Sequence, residues 1–358
     1  METNETTRRR DSTPAESFHT NYLSHVSVPA HGDELSVIVG KLLGMGNPLL
    51  DISAHVPQEL LDKYELKLDS AILAEDKHQP LYGELVEKYD VQYIAGGATQ
   101  NTMRVAQWML KDNKGQTAFM GCVGPNDNYG KQLEKCASDD GVLVHYMKDP
   151  STPTGTCAAL ILGGERSLCA NLAAANNFNE THLETDKAKE IIESAEIYYS
   201  AGFFLTVSVP SLVKVALAKD KIVALNLSAP FIVDFFGDQL ATALEYADFV
   251  FGNESEAAAY GKKHELGEDL GKVALAICDL SKKNASRPRI VVITQGSKST
   301  LVASQGKVTE YAIDPLPKEK LVDTNGAVST GMSQACEGIF FPLYSHSAVF
   351  VCLSLLVG

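Results

Sequence analysis

From residue 36 onward, short apolar runs rich in β-branched residues alternate with stretches that repeat apolar residues at helical spacing. The runs at 36–43, 91–94, 116–123, 156–162, 197–201, 222–227, 249–251 and 289–294 predict strands. The stretches 99–110, 129–140, 186–195, 209–218, 235–246, 254–264 and 267–281 predict helices. Such alternation predicts an α/β fold: a parallel sheet wrapped by helices on both faces, a three-layer α/β/α sandwich. Two stretches, 51–73 and 144–166, break the alternation. Either they form a small β-rich cover or they are ordinary surface excursions.

Glycine-containing turns follow several predicted strands: Gly44-Met45-Gly46, Gly96-Gly97, Gly121, Gly202, Gly252 and Gly296. In parallel sheets the ligand lies beyond the C-terminal strand ends, so these turns are where a site is sought. Asn47 and Asp51, just past the first strand, suit sugar hydroxyls or, equally, turn and capping chemistry. Gly96-Gly97-Ala98-Thr99 lets a backbone approach a ligand, or is a tight turn with Thr99 as helix N-cap. Asn253-Glu254-Ser255-Glu256 reads as a capped helix start, or as carboxylates beside Mg²⁺ and phosphate. Thr294-Gln295-Gly296 is a strand-to-turn transition or an ATP-phosphate contact, and Arg166 a phosphate ligand or a surface charge. Phe203, after Gly202, stacks a base or fills the core. A P-loop, a dinucleotide G-x-G-x-x-G and the protein-kinase motif set are all absent.

Composition narrows the partners. A chain of 358 residues, 45% hydrophobic and 21% charged, can bury a large core. A net charge of −14 argues against nucleic acid and for a small-molecule partner. Seven scattered cysteines, an odd number without a C-x-x-C pair, suit reduced thiols and a cytoplasmic protein. Residues 1–34 are polar and read as a disordered tail without a secretory signal. Arg8-Arg9-Arg10 within them leaves a nuclear share open.

The strings GMGNPLLDI (44–52), ILAEDKH (72–78), GGATQN (96–101), TGTCAALILGGERSLCANLAAAN (154–176), AGFFLTVS (201–208), NLSAPF (226–231), FGNESEAA (251–258), TQG (294–296) and DTNGA (323–327) occur in this order. Together they closely resemble adenosine kinases of the ribokinase-like carbohydrate and nucleoside kinase family. The resemblance implies a ribokinase-like α/β/α core over 35–327, with a small lid from about 51–73 and 144–166. It implies ATP-dependent phosphorylation of the adenosine 5′-hydroxyl to AMP in purine salvage, with Mg²⁺, by a monomer. It further implies that Asn47 and Asp51 hold the ribose, with Gly96, Gly97 and Asn101 lining the same pocket. Leu73, Leu168, Ala170 and Phe203 would pack around the nucleoside. Arg166 would stabilise the transferring phosphate. Asn253, Thr294 and Gly296 would touch ATP, Glu256 would order Mg²⁺ through water, and Gly326 would belong to an anion hole. Position 71, often Gln in relatives, is Ala here.

The family signature ends in Gly-Asp, and its aspartate takes the proton of the attacking hydroxyl. Here Val328 and Ser329 stand at those two positions. After Ala327 the resemblance stops, and an apolar tail, 328–358, replaces the family's C-terminal helices. Pro342, His346 and several serines interrupt the tail and weaken a membrane-anchor reading. The alternative function is therefore an adenosine-binding, catalytically impaired chain.

Overall fold

The structure, a computed structural model, describes residues 41–68, 70–110, 114–163, 165–217 and 221–313. The expectations for 1–34, Gly326, Ser329 and 328–358 lie outside the described residues.

Sixteen strands lie among the described residues: β1 (Leu42–Met45), β2 (Leu49–His55), β3 (Ala71–Leu73), β4 (Gln92–Gly96), β5 (Thr117–Met120), β6 (Cys122–Val123), β7 (Leu143–Val144), β8 (Met147–Lys148), β9 (Thr156–Leu162), β10 (Glu165–Asn171), β11 (Ile197–Ala201), β12 (Ile222–Asn226), β13 (Phe249–Asn253), β14 (Ile290–Gln295), β15 (Lys298–Ser304) and β16 (Lys307–Tyr311). Nine of them form one sheet in the order β16-β15-β14-β13-β12-β11-β1-β5-β7. From β14 through β7 every pairing is parallel. The β14–β15–β16 meander closes one edge antiparallel.

The parallel strands are buried on both faces, as nearly continuous apolar runs require. Leu43 and Met45 of β1 face one layer, with Tyr198, Leu225, Val250 and Ile293. Helices Asp186–Ser194, Val209–Leu217, Pro230–Phe235, Gly237–Leu244, Glu254–Lys263 and Leu270–Cys278 supply Ile191, Leu212, Ile232, Leu240, Ala257 and Ile277 to that layer. Leu42 faces the other layer with Phe119, Ile197, Tyr199 and Phe251. There helices Ala98–Met109 and Asn128–Asp139 contribute Met103 and Leu133. Each fully buried side chain of this size stabilises the fold by about 1.5–3 kcal/mol.

Three local details differ from the periodicity. The stretch 116–123 is broken at Gly121, where an added Cβ would sit 2.6 Å from the Gly46 carbonyl oxygen. The predicted helix 235–246 is two helices that meet at Phe236, whose φ of −117° and ψ of 34° leave the helical region ahead of Gly237. The β15–β16 hairpin has no counterpart among the predicted strands.

The remaining long strands form a second sheet, β3-β10-β9-β2-β4. Its outer face has its own apolar cluster, in which Ile52, Ala54, Ala158, Leu160 and Cys169 pack on Leu60, Leu61, Leu81 and Leu85. The last four belong to helices Gln58–Lys63 and Gln79–Lys88. β6 and β8 pair separately.

Candidate active site

Because β1, β5, β11, β12, β13 and β14 are parallel, their C-terminal ends share one edge of the large sheet. Two polar clusters stand on that edge.

The first begins where β1 ends. Asn47 is buried, and its Nδ2 donates to the Phe203 carbonyl at 3.4 Å, just after β11. Its Oδ1 is buried without a partner. A buried acceptor left unsatisfied is costly, so this oxygen has an unmet demand for a donor. Gly97 packs on the same loop. Its φ is +97°, and an added Cβ would lie 2.3 Å from the Asn47 carbonyl oxygen. Gly97 is also the N-cap of helix Ala98–Met109, and no side chain caps that helix end. Thr99 is therefore not the cap; its buried Oγ1 accepts from the Ala201 N–H at 3.0 Å. Asn101 lies one turn into the helix and accepts from Arg104 Nη1 at 3.2 Å.

The second sheet presents its inner face to this cluster through one cross-strand row. Leu73 pairs with Ala170, Ala170 with Cys157, and Cys157 with Asp51, so all four side chains share a face. Leu168 and Arg166, two and four residues from Ala170 on β10, lie on the same face by alternation. Leu168 and Ala170 pack with Leu49, Cys157 and Ala175. Gly96 approaches so closely that an added Cβ would sit 2.2 Å from Asp51 Oδ1. Withdrawal from water pushes the Asp51 carboxyl up to about 7, against the opposing attraction of the Arg166 guanidinium.

The second cluster lies on β13 and β14. Asn253 caps helix Glu254–Lys263: its side chain accepts from the Glu256 N–H at 2.9 Å, while Glu256 Oε2 accepts from the Asn253 N–H at 3.0 Å. This reciprocal box fixes the Glu256 carboxylate beside the strand end. Burial pushes Glu256 up to about 7; the Asn253 N–H opposes the shift and Glu254 reinforces it. Thr294 pairs with Asn253 across the two strands, and its Oγ1 donates to the Gly252 carbonyl at 3.5 Å. Gly296, at φ +55°, follows in the turn, where an added Cβ would stand 4.0 Å from Glu254 Oε1.

Between the clusters lies a connector that the string NLSAPF (226–231) marked without assigning a role to Ser228. After β12, Ser228 adopts φ +71°, a left-handed conformation that costs a non-glycine residue energy. Its Oγ accepts from the Gly202 N–H at 2.7 Å, and its own N–H donates to Asn226 Oδ1 at 2.7 Å. Leu227 N–H donates to the Phe251 carbonyl at 2.8 Å. This turn thus touches the loop before Phe203 on one side and β13 on the other. A serine ahead of Ala229-Pro230 reads as ordinary turn chemistry, and nothing in the letters signals the positive φ.

Among the described residues, no three or more His, Cys, Asp or Glu side chains converge on a metal-sized site. No described helix is long and apolar enough to cross a membrane.

The sequence matches the model of the pfkB family of carbohydrate kinases over residues 58–327. It is 52% identical to adenosine kinase 1 of Arabidopsis thaliana over 292 residues, which is 80% of this chain and 84% of that protein. Two solved structures are similar in fold. Adenosine kinase of Anopheles gambiae in complex with a di(adenosine) tetraphosphate has a TM-score of 0.84 and 43% identity, covering 89% of this chain and 94% of that one. Adenosine kinase of Schistosoma mansoni in complex with 2-fluoroadenosine has a TM-score of 0.84 and 31% identity, with the same coverage of each chain.

Proposed function

Because the chain belongs to the pfkB family of carbohydrate kinases and has its ribokinase-like α/β fold, we propose that it phosphorylates adenosine at the 5′-hydroxyl with ATP. The products are AMP and ADP, a purine-salvage step. The observation that carries this reading is the 52% identity to a plant adenosine kinase, which holds over most of both chains. The 2-fluoroadenosine in the Schistosoma mansoni complex supports the substrate class.

In the reaction the adenosine 5′-oxygen bonds to the γ-phosphorus of ATP. The bond to the β–γ bridging oxygen breaks, ADP leaves with its electron pair, and the 5′-proton is released. We assign the first cluster to adenosine. The partnerless Asn47 Oδ1 and the Asp51 carboxylate accept from sugar hydroxyls. Gly96, Gly97 and Asn101 shape the same side, and Leu73, Leu168, Ala170 and Phe203 offer apolar surface to the base. Arg166 supplies positive charge toward the transferring phosphate. The second cluster, Asn253, Thr294 and Gly296, takes ATP. Its ligating atoms are oxygens, and the Glu256 carboxylate held by the capping box suits Mg²⁺ bound mainly through phosphate and water. When bound, Mg²⁺ offsets the charge of the phosphates. Free cysteines at every described cysteine position support a cytoplasmic chain, and the acidic net charge supports a small-molecule partner.

A second reading, a chain that binds adenosine without turning it over, rests on Val328 and Ser329 and on the divergent sequence that follows them. Serine is neutral at pH 7 and a weak proton acceptor. Loss of a general base typically removes about 10²–10⁴-fold in rate. Purified chain with adenosine, ATP and Mg²⁺ tests both readings. Turnover of about 1–100 s⁻¹ supports the kinase reading. Background AMP formation with calorimetric adenosine binding supports the second, and the Val328→Gly, Ser329→Asp double variant then gains at least about 10²-fold. A chain that neither binds adenosine nor forms AMP overturns both.

A further inference from the structure

Thr99 stands at the meeting point of three loops that the proposed adenosine pocket draws on. It is 2% exposed. Its Oγ1 accepts from the Ala201 N–H at 3.0 Å, at the last residue of β11 before Gly202 and Phe203. On its other side it packs against the end of β1. An added Cβ on Gly46 would sit 2.6 Å from Thr99 Cβ and Oγ1, and one on Gly44 would sit 2.9 Å from Thr99 Cγ2. Those glycines lead directly into Asn47. Two residues before Thr99, Gly97 lies against the Asn47 backbone.

The helix start that carries Gly96 and Gly97 is therefore keyed to both neighbouring strand ends through one side chain. The Asn47 Nδ2 bond to the Phe203 carbonyl is long, at 3.4 Å, and joins residues 156 positions apart. A bond of that length cannot fix the spacing of its two loops alone. The Thr99 hydroxyl bond is shorter and fully buried. The neighbouring bond from Ser200 Oγ to the Met45 carbonyl, 3.0 Å, ties the same two strands one step earlier. It does not reach the Gly96-Gly97 turn.

We propose that Thr99 is a positioning residue for nucleoside recognition. Its hydroxyl sets the separation of the Asn47 loop from the Phe203 loop, and its methyl group fills the space left by Gly44 and Gly46. The inference rests on the reading of Asn47 and Phe203 as part of the adenosine site. Valine at this position keeps the shape and loses the acceptor, leaving the Ala201 N–H buried and unpaired. Serine keeps the acceptor and loses only the methyl group.

The test is calorimetric titration of the full chain with adenosine and, separately, with a non-hydrolysable ATP analogue. Thr99→Val is expected to raise the adenosine Kd about tenfold, the size of one lost buried hydrogen bond, with the ATP-analogue Kd held within about twofold. Thr99→Ser is expected to restore most of the adenosine affinity. Equal weakening of both ligands by Thr99→Val marks general loosening and overturns the proposal. So does Thr99→Val binding adenosine like the parent chain. If the valine variant does not fold, the serine variant decides: more than tenfold weakening there overturns the role of the hydroxyl. Asn47→Ala separates the two levels. Unchanged adenosine affinity in that variant removes the pocket reading and this inference with it. Weakening there, with no effect at Thr99, removes only this inference.

Discussion

Asp51 is an acid whose surroundings disfavour its charge. Its carboxyl lies against Gly96 and over Cys157, with Arg166 as the cation that counters burial. Its pKa rises from 3.8 to about 7. The folded chain therefore holds this proton more tightly than the unfolded chain does. The stability this provides is complete below about pH 4 and is lost as pH rises through about 7. Asp51→Asn abolishes that slope. In ligand-free thermal melts, the Tm of the parent relative to Asp51→Asn should fall steadily between pH 4 and pH 7. A difference that stays flat over that window refutes the shifted carboxyl. Glu256 titrates in the same direction and is present in both proteins, so the comparison cancels it.

Helix Glu254–Lys263 owes its start to Asn253, whose side chain satisfies the Glu256 N–H while Glu256 returns the bond. Asn253→Ala should cost about 1 kcal/mol in urea denaturation, the usual loss of an N-cap. It should also weaken ATP-analogue binding, because the Glu256 carboxylate loses its anchor. A stability loss with unchanged analogue binding would limit the box to a structural role. This element was legible in the letters because its bonds run over three residues, within the reach of a local pattern. The parallel sheet was legible for a similar reason: Ile197–Ala201, Ile222–Asn226 and Ile290–Gln295 lie close to the apolar runs that predicted them. The end of β1 was less so. Asn47 meets Phe203 across 156 positions, and periodicity carries no information about that distance. The Gly96-Gly97-Ala98-Thr99 turn shows the same limit, since Thr99 matches the residue type of a cap while Gly97 occupies the position. Asp51 sits in a strand, Leu49–His55, within a stretch that breaks the main alternation. Its neighbours in the row, Cys157, Ala170 and Leu73, come from distant segments, and only the family strings linked them to one site.

Across the molecule, the two edges of the large sheet carry different chemistry. At the N-terminal ends of β12, β13 and β14, the buried Asp248 accepts from the Val223 N–H at 2.9 Å and pairs with Lys282 and Arg287. The Asp248 and Lys282 side chains are only 3% and 6% exposed. Asp248→Ala leaves a buried ammonium without its partner and should cost about 3–5 kcal/mol. Its folded fraction should bind adenosine like the parent, because the proposed site stands at the opposite strand ends. A cost under about 1 kcal/mol in denaturant titration would refute the buried pair's role. Between the two sheets the described backbone passes at residues 46–48, 97, 149–155 and 172. These passages come in touching pairs. An added Cβ on Gly97 would meet the Asn47 carbonyl oxygen at 2.3 Å, and one on Gly155 would meet the Leu172 carbonyl oxygen at 2.4 Å. Each pair joins two crossings of the chain, so the small sheet is tied to the large one at two seams. Asn47 stands in one seam, and Arg166 lies six residues along the chain from Leu172 in the other. A substitution at Asn47 therefore disturbs a stitch between the two sheets as well as the proposed sugar contact.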